Sequence, residues 1–215
     1  MKKNLEAIAC KAIKPCPDGF NYKANLPYGC VTEHIYKAMC DFSDFLGFIN
    51  EQLFSKGLNR LESFLMPANF SSIVGEFMHS SIPRYSLGLV KNCYHNGHPD
   101  LIPKGRFKNN SAQHANEGIE IKASRDLKGW QGHNPEDTWL MVFVFDSNRP
   151  VDEAKGVEPK PFRFLTVLGA AIQKDDWLFA GRSETSRRTI TASVTQTGYN
   201  KMAANWIYKE PGLQL

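Results

Sequence analysis

The stretch "GIEIKAS", residues 118–124, places an acid and a base two apart in an otherwise apolar, β-prone run. In a strand successive side chains alternate faces, so Glu120 and Lys122 point one way and Ile119, Ile121 and Ala123 the other. One face can bury aliphatics while the opposite face carries charge. The runs on either side extend this strand into a sheet. "TWLMVFVFD" (138–146) and "FRFLTVLGAAI" (162–172) are almost continuously apolar, as in strands covered on both faces. "SLGLVKNCYH" (86–95), the more polar "RRTITASVTQT" (187–197) and the terminal "ANWIYKEP" (204–211) are further strand candidates, separated by Gly, Pro, Asn and Asp clusters.

Upstream the periodicity changes. Ile35, Met39, Phe42, Phe45, Leu46, Ile49 and Leu53 recur at helical spacing, with Thr32 as N-cap and Gly57 as stop. Shorter helices are expected over "NRLESFLM" (59–66) and "NFSSIVGEFMHSS" (69–81), the latter ending before Pro83. The first thirty residues, punctuated by "KPCPDGF" and "NLPYG", read as irregular. The expectation is one α/β domain over 1–215: a mostly helical part to about residue 85, then a central mixed β-sheet flanked by helices.

Composition sets broad limits. With 42% hydrophobic and 12% aromatic residues, the 215-residue chain can bury an ordinary core. No run approaches the roughly 18 apolar residues of a membrane span, and the N-terminus reads as mature protein, so a cytoplasmic setting is expected. Five cysteines at irregular spacing lack the ligand intervals of ordinary zinc modules and read as reduced thiols. Net charge is +4. Between residues 155 and 201, eight Lys or Arg face four acids, so the surplus is concentrated there.

The charged face of "GIEIKAS" has an upstream partner. "GHPDLIP" (97–103) places Asp100 directly after Pro99, with nineteen residues between it and Glu120. If the segment beginning at Asp100 forms a hairpin with the strand of Glu120 and Lys122, the three side chains converge. The intervening "KGRFKNNSAQHAN" (104–116) suits such a connection. Two carboxylates on adjacent strands can chelate magnesium, a hard cation that keeps several of its waters. A nearby lysine offsets their repulsion and can steady a phosphoryl oxygen. The other reading of these residues is a solvated strand face with an ion pair.

The pattern Pro99-Asp100…Glu120-Ile121-Lys122 resembles the signature of the PD-(D/E)xK nuclease superfamily, which includes many type II restriction endonucleases. The resemblance covers roughly residues 70–146 and implies a restriction-endonuclease-like core. It implies Asp100 and Glu120 as metal ligands, the Ile121 carbonyl as a further ligand, and Lys122 as the catalytic lysine. An acid on the preceding helix is common in the family, and Glu76 is the first counterpart here, Glu62 the second. Mg2+, with Mn2+ able to substitute, would be the cofactor. A water activated at the metal would attack phosphorus in line, leaving a 5′-phosphate and a 3′-hydroxyl.

Two other matches to the short pattern fail. Asp18 of "CPDG" lies in a turn-rich segment, and Pro159 in "VEPK" denies a central strand its amide donor. One departure from the family is plain: its core has a helix after the lysine strand, whereas "RDLKGWQGHNPED" (125–137) holds two glycines and a proline. That segment is either a specialised loop, with Trp130, Gln131, His133 and Asn134 near substrate, or a polar turn with Trp130 on the core. Lys104, Arg106, Lys108, Gln131, Arg182, Arg187 and Arg188 are the candidate DNA contacts. His95, His98 and His114 receive no catalytic role. The resemblance points to a sequence-specific endodeoxyribonuclease acting on double-stranded DNA, expected as a homodimer because two strands call for two sites. A structure-specific repair, phage or mobile-element nuclease, or a non-catalytic DNA-binding protein of the same fold, remain the alternatives.

Overall fold

The computed structural model describes residues 2–132, 134–180 and 191–215. Among these residues five helices are present: α1 Lys2–Ala9, α2 Thr32–Ser55, α3 Leu61–Phe64, α4 Pro67–Tyr85 and α5 Gln196–Ala204. Nine strands accompany them: β1 Leu89–Lys91, β2 Leu101–Pro103, β3 Ile119–Ser124, β4 Gln131–Gly132, β5 Thr138–Asp146, β6 Arg163–Ile172, β7 Trp177–Ala180, β8 Thr191–Val194 and β9 Trp206–Lys209. Six form one mixed sheet in the order β1-β2-β3-β5-β6-β9, and three form a small sheet, β4-β8-β7. In the large sheet only the β3–β5 pair is parallel. The result is a mixed α/β architecture with a central sheet and a helical N-terminal region.

Burial explains the apolar pattern. Side chains of β5 alternate between two cores. Met141, Phe143 and Phe145 pack toward α2 and α4, with Ile119 and Ile121 of β3. Leu140, Val142 and Val144 face the opposite way, against Trp130, Trp177, Ala192, Tyr199 and Met202. A strand covered on both faces has no polar side to show, hence the continuous run. Of the α2 stripe, Ile35, Met39, Phe42 and Leu46 are wholly buried. Phe42 meets Phe77, Phe162 and Phe164 at ring separations of 5.2–5.8 Å. The chain leaves α2 through Gly57, at φ +72°, a conformation glycine adopts without strain.

Several expectations are corrected. The irregular N-terminus contains helix α1. Helix α4 begins at Pro67 and continues through Pro83 to Tyr85. One Asp41 carboxylate oxygen accepts from Ser81, Arg84 and Tyr85, tying this last turn to α2 and offsetting the hydrogen bond that proline cannot make. Of the polar strand candidate at 187–197, residues 187–190 lie outside the described residues, Thr191–Val194 is strand, and Thr195 then caps α5 by accepting from the Gly198 amide. Strand β7 has no counterpart in the sequence reading. No helix among the described residues is long and apolar enough to cross a membrane.

The β2–β3 hairpin that brings Asp100 toward Glu120 is present, but the two strands share a single rung, Leu101 opposite Ile119. Gly118 permits this close approach. A Cβ there would stand 2.2 Å from the Leu101 carbonyl oxygen, and its φ of +147° is unfavourable for other residues. Beyond the rung the strands diverge.

Candidate functional site

Where β2 and β3 separate, the Asp100 side chain replaces the missing strand. Its Oδ2 accepts the Ile121 amide at 2.8 Å, as a neighbouring carbonyl would. A strand residue presents its amide and carbonyl to the same edge, so the Ile121 carbonyl also faces this opening. Glu120 and Lys122 sit opposite Leu140 and Val142 in the parallel ladder and share a face of β3, as the alternation requires. The Lys122 ammonium pairs with Glu120 Oε1. Glu120 itself is only 13% exposed.

Each proposed metal-binding carboxylate has a histidine beside it. Asp100 Oδ1 lies 3.5 Å from His79 Nδ1, and His79 Nε2 lies 2.6 Å from Glu76 Oε2. Glu120 Oε2 lies 3.1 Å from His98 Nδ1, and His98 Nε2 lies 3.1 Å from Glu136 Oε2. Two arrays result, Glu76–His79–Asp100 and Glu136–His98–Glu120–Lys122, meeting at β3. Glu76 is 69% exposed and reaches Asp100 through His79. An open cleft of about 510 Å³ runs alongside, bounded by Ser71, Ser72, Gly75, Glu76 and His79 of α4 and by Asp100 and Lys122.

Burial, which by itself would raise the Glu120 pKa, is outweighed by the His98 contact and the Lys122 charge, which hold it at about 2. Burial alone would lower the pKa of Lys122, yet Glu120, with help from Asp100 and Glu136, leaves it raised. The balance is the same for the histidines: desolvation lowers each, but Asp100 and Glu76 raise His79, and Glu120 and Glu136 raise His98. At neutral pH the site thus keeps an ionised Glu120 and a charged Lys122.

Among the described residues no three His, Cys, Asp or Glu side chains are placed to hold a metal ion. The set implied by the sequence is smaller, two carboxylates and one carbonyl, with water completing the shell. Its chemistry fits a hard divalent cation: Asp100 offers an oxygen beside the cleft, and Ile121 turns its carbonyl to the same opening. Glu120, paired here with Lys122, would be the second carboxylate of the set.

Comparison with protein-family models, curated proteins and solved structures finds no match. The site's chemistry therefore rests on its own residues.

The remaining candidates lie apart. Lys104 begins the connection after β2, its amide bonded to the Gly88 carbonyl, away from the Asp100 end of that strand. Arg106 pairs with Glu117 at 2.6 Å, and Lys108 opens an exposed turn. Gln131 is exposed on β4, which pairs with β8 in place of a helix after β3. Trp130 packs on the second core and donates its indole N–H to the Asp126 carbonyl, matching the polar-turn reading. Glu62 is removed from the site and buried with Arg60. Arg182, Arg187 and Arg188, with His133, lie outside the described residues. All five cysteines are free thiols, and burial pushes Cys30 up to about 12.

His79 and Glu136 have no part in the sequence expectation, and His98 enters it only as a flanking histidine given no catalytic role. His79 is accessible in principle, three residues after Glu76 and hence on the same helix face. His98 stands two residues before Asp100. Glu136, in an irregular segment, has no periodicity to mark it.

Proposed function

We propose that this protein is a Mg2+-dependent endodeoxyribonuclease of the PD-(D/E)xK type, hydrolysing phosphodiester bonds in double-stranded DNA. The observation that carries this reading is the bond from the Ile121 amide to Asp100, which brings that carboxylate to the strand bearing Glu120 and Lys122. The succession α4-β1-β2-β3-β5, with β5 parallel to β3, supports a restriction-endonuclease-like core, and the segment in place of the usual helix is a departure from it.

Electrostatics favour a cation. Asp100, Glu120, Glu136 and Glu76 gather around Lys122 and two histidines, and an approaching phosphate meets this acidic cluster. A divalent ion held by Asp100, Glu120 and the Ile121 carbonyl would neutralise phosphate charge and lower the pKa of a coordinated water. Asp100 is fixed in place by the amide of Ile121. Lys122, relieved of Glu120 by the cation, can turn its ammonium toward a phosphoryl oxygen. Cleavage of both strands would use two copies of the site in a homodimer.

The test is plasmid cleavage with Mg2+ or Mn2+, comparing the wild type with Asp100→Asn and Lys122→Ala. The Asp100→Asn variant keeps an oxygen for the Ile121 amide but removes the charge. Each substitution is expected to slow cleavage at least about 100-fold, as removal of one electrostatic stabiliser does. Undiminished cutting by both variants would overturn the assignment. Discrete fragments would support sequence-specific restriction, whereas nicking confined to branched or single-stranded substrates would favour a repair or mobile-element role.

A further inference from the structure

We infer that His98 is a positioning residue for the metal-binding carboxylate of Glu120, acting through its Nδ1–H and braced by Glu136; the inference rests on the proposed metal site. The ring is held from several sides. Its face stacks on His114 with centroids 5.3 Å apart and planes 20° from parallel. The His98 amide donates to the Gln113 carbonyl, and its own carbonyl accepts the Ala115 amide, so the backbone is locked as well. From this seat Nδ1 lies 3.1 Å from Glu120 Oε2.

The other nitrogen argues against a purely structural role. Nε2 is shielded from solvent and lies 3.1 Å from Glu136 Oε2, yet the two are misaligned and no hydrogen bond forms. Buried polar atoms in a finished structural network almost always have partners. A ring set between two carboxylates, 3.1 Å from each and aligned with neither, has room for a small rotation. That rotation would follow Glu120 as it leaves Lys122 for a cation, while Glu136 gains the bond it lacks. Orienting partners of this kind typically contribute 10–100-fold to metal affinity. His79 stands in a looser relation to Asp100, at 3.5 Å, whose carboxylate is already fixed by the Ile121 amide.

The test is isothermal titration of the intact chain with MnCl2 or MgCl2 alone, without nucleic acid. Three variants separate the roles. The amide nitrogen of Asn overlays Nδ1, that of Gln overlays Nε2, and Ala supplies neither. His98→Asn is expected to bind Mn2+ within about 3-fold of wild type, while His98→Gln and His98→Ala lose about 10–100-fold. A structural role would shift the unfolding midpoint without this Asn–Gln split. Equal affinities in all four proteins, or an equal loss in all three variants, would overturn the inference and leave the metal site intact. If His98→Ala does not fold, the Asn–Gln comparison decides. A folded wild type that binds neither cation would overturn the metal site and the positioning role together.

Discussion

Glu62 is fully buried, and its two oxygens are both used: Arg60 donates to Oε1 at 2.5 Å and Asn50 Nδ2 to Oε2 at 2.9 Å. Arg60 is itself 2% exposed. Substituting Glu62 by alanine leaves a buried guanidinium without its nearest counter-charge, a change that typically costs 3–5 kcal/mol. Arg60 retains Glu6 at 2.8 Å, the Asn148 amide oxygen at 2.9 Å and the Lys160 carbonyl at 3.1 Å, so the lower end of that range applies, about 3 kcal/mol. The Asn50 amide, stripped of an acceptor in the interior, adds about 1 kcal/mol. The expected loss is then about 4 kcal/mol, or roughly 8–16 °C in Tm for a chain of this length. Urea denaturation gives the free energy directly and calorimetry the midpoint. Mn2+ affinity of the folded Glu62→Ala protein should be unchanged, because Glu62 takes no part in either carboxylate–histidine array. A loss below about 1 kcal/mol would refute the account, since it would mean the guanidinium tolerates burial without this carboxylate.

Gly75→Ala should stabilise the protein by about 0.5–1 kcal/mol, because Gly75 is helical and an added Cβ meets no atom within 4 Å; a lower urea midpoint would contradict this. Asp176, nearly fully buried, has its pKa raised by burial but lowered more by the Gln173 amide and Lys201, for a net depression. The stability it contributes is present above the unfolded value of about 3.9 and lost as pH falls through the lower folded value. The difference in unfolding free energy between wild type and Asp176→Asn should therefore hold from neutral pH to about pH 4 and shrink below it; a difference that grew with acid would refute the assignment.

Much of the fold is legible because period and burial coincide. The α2 stripe and the runs of β5 and β6 each bury a continuous surface, and such surfaces dominate local preference. The failures share a cause. Strand β7 and helix α5 belong to the second layer, and α5 begins with "QTG", whose only advertisement is the Thr195 cap. Helix α1 is short and half exposed, so its pattern is weak. Pro83 reads as a stop because the Asp41 interactions that carry α4 past it come from forty residues away. At the site, Asp100, Glu120 and Lys122 are visible through strand alternation and one hairpin. The histidines are not, since their roles depend on which side chain each ring meets across the sheet.

Asp100 has a second occupation with consequences for how such sites endure. One of its oxygens ends the β3 edge by taking an amide that would otherwise hang free, so selection for folding alone keeps an acceptor there. The other oxygen takes no part in the strand edge and lies 3.5 Å from His79 Nδ1. A chain that lost its chemistry could keep this aspartate, or exchange it for asparagine, long after Lys122 had drifted. Lys122, which ends no strand, would under the proposed function be the more faithful reporter of whether the site is kept.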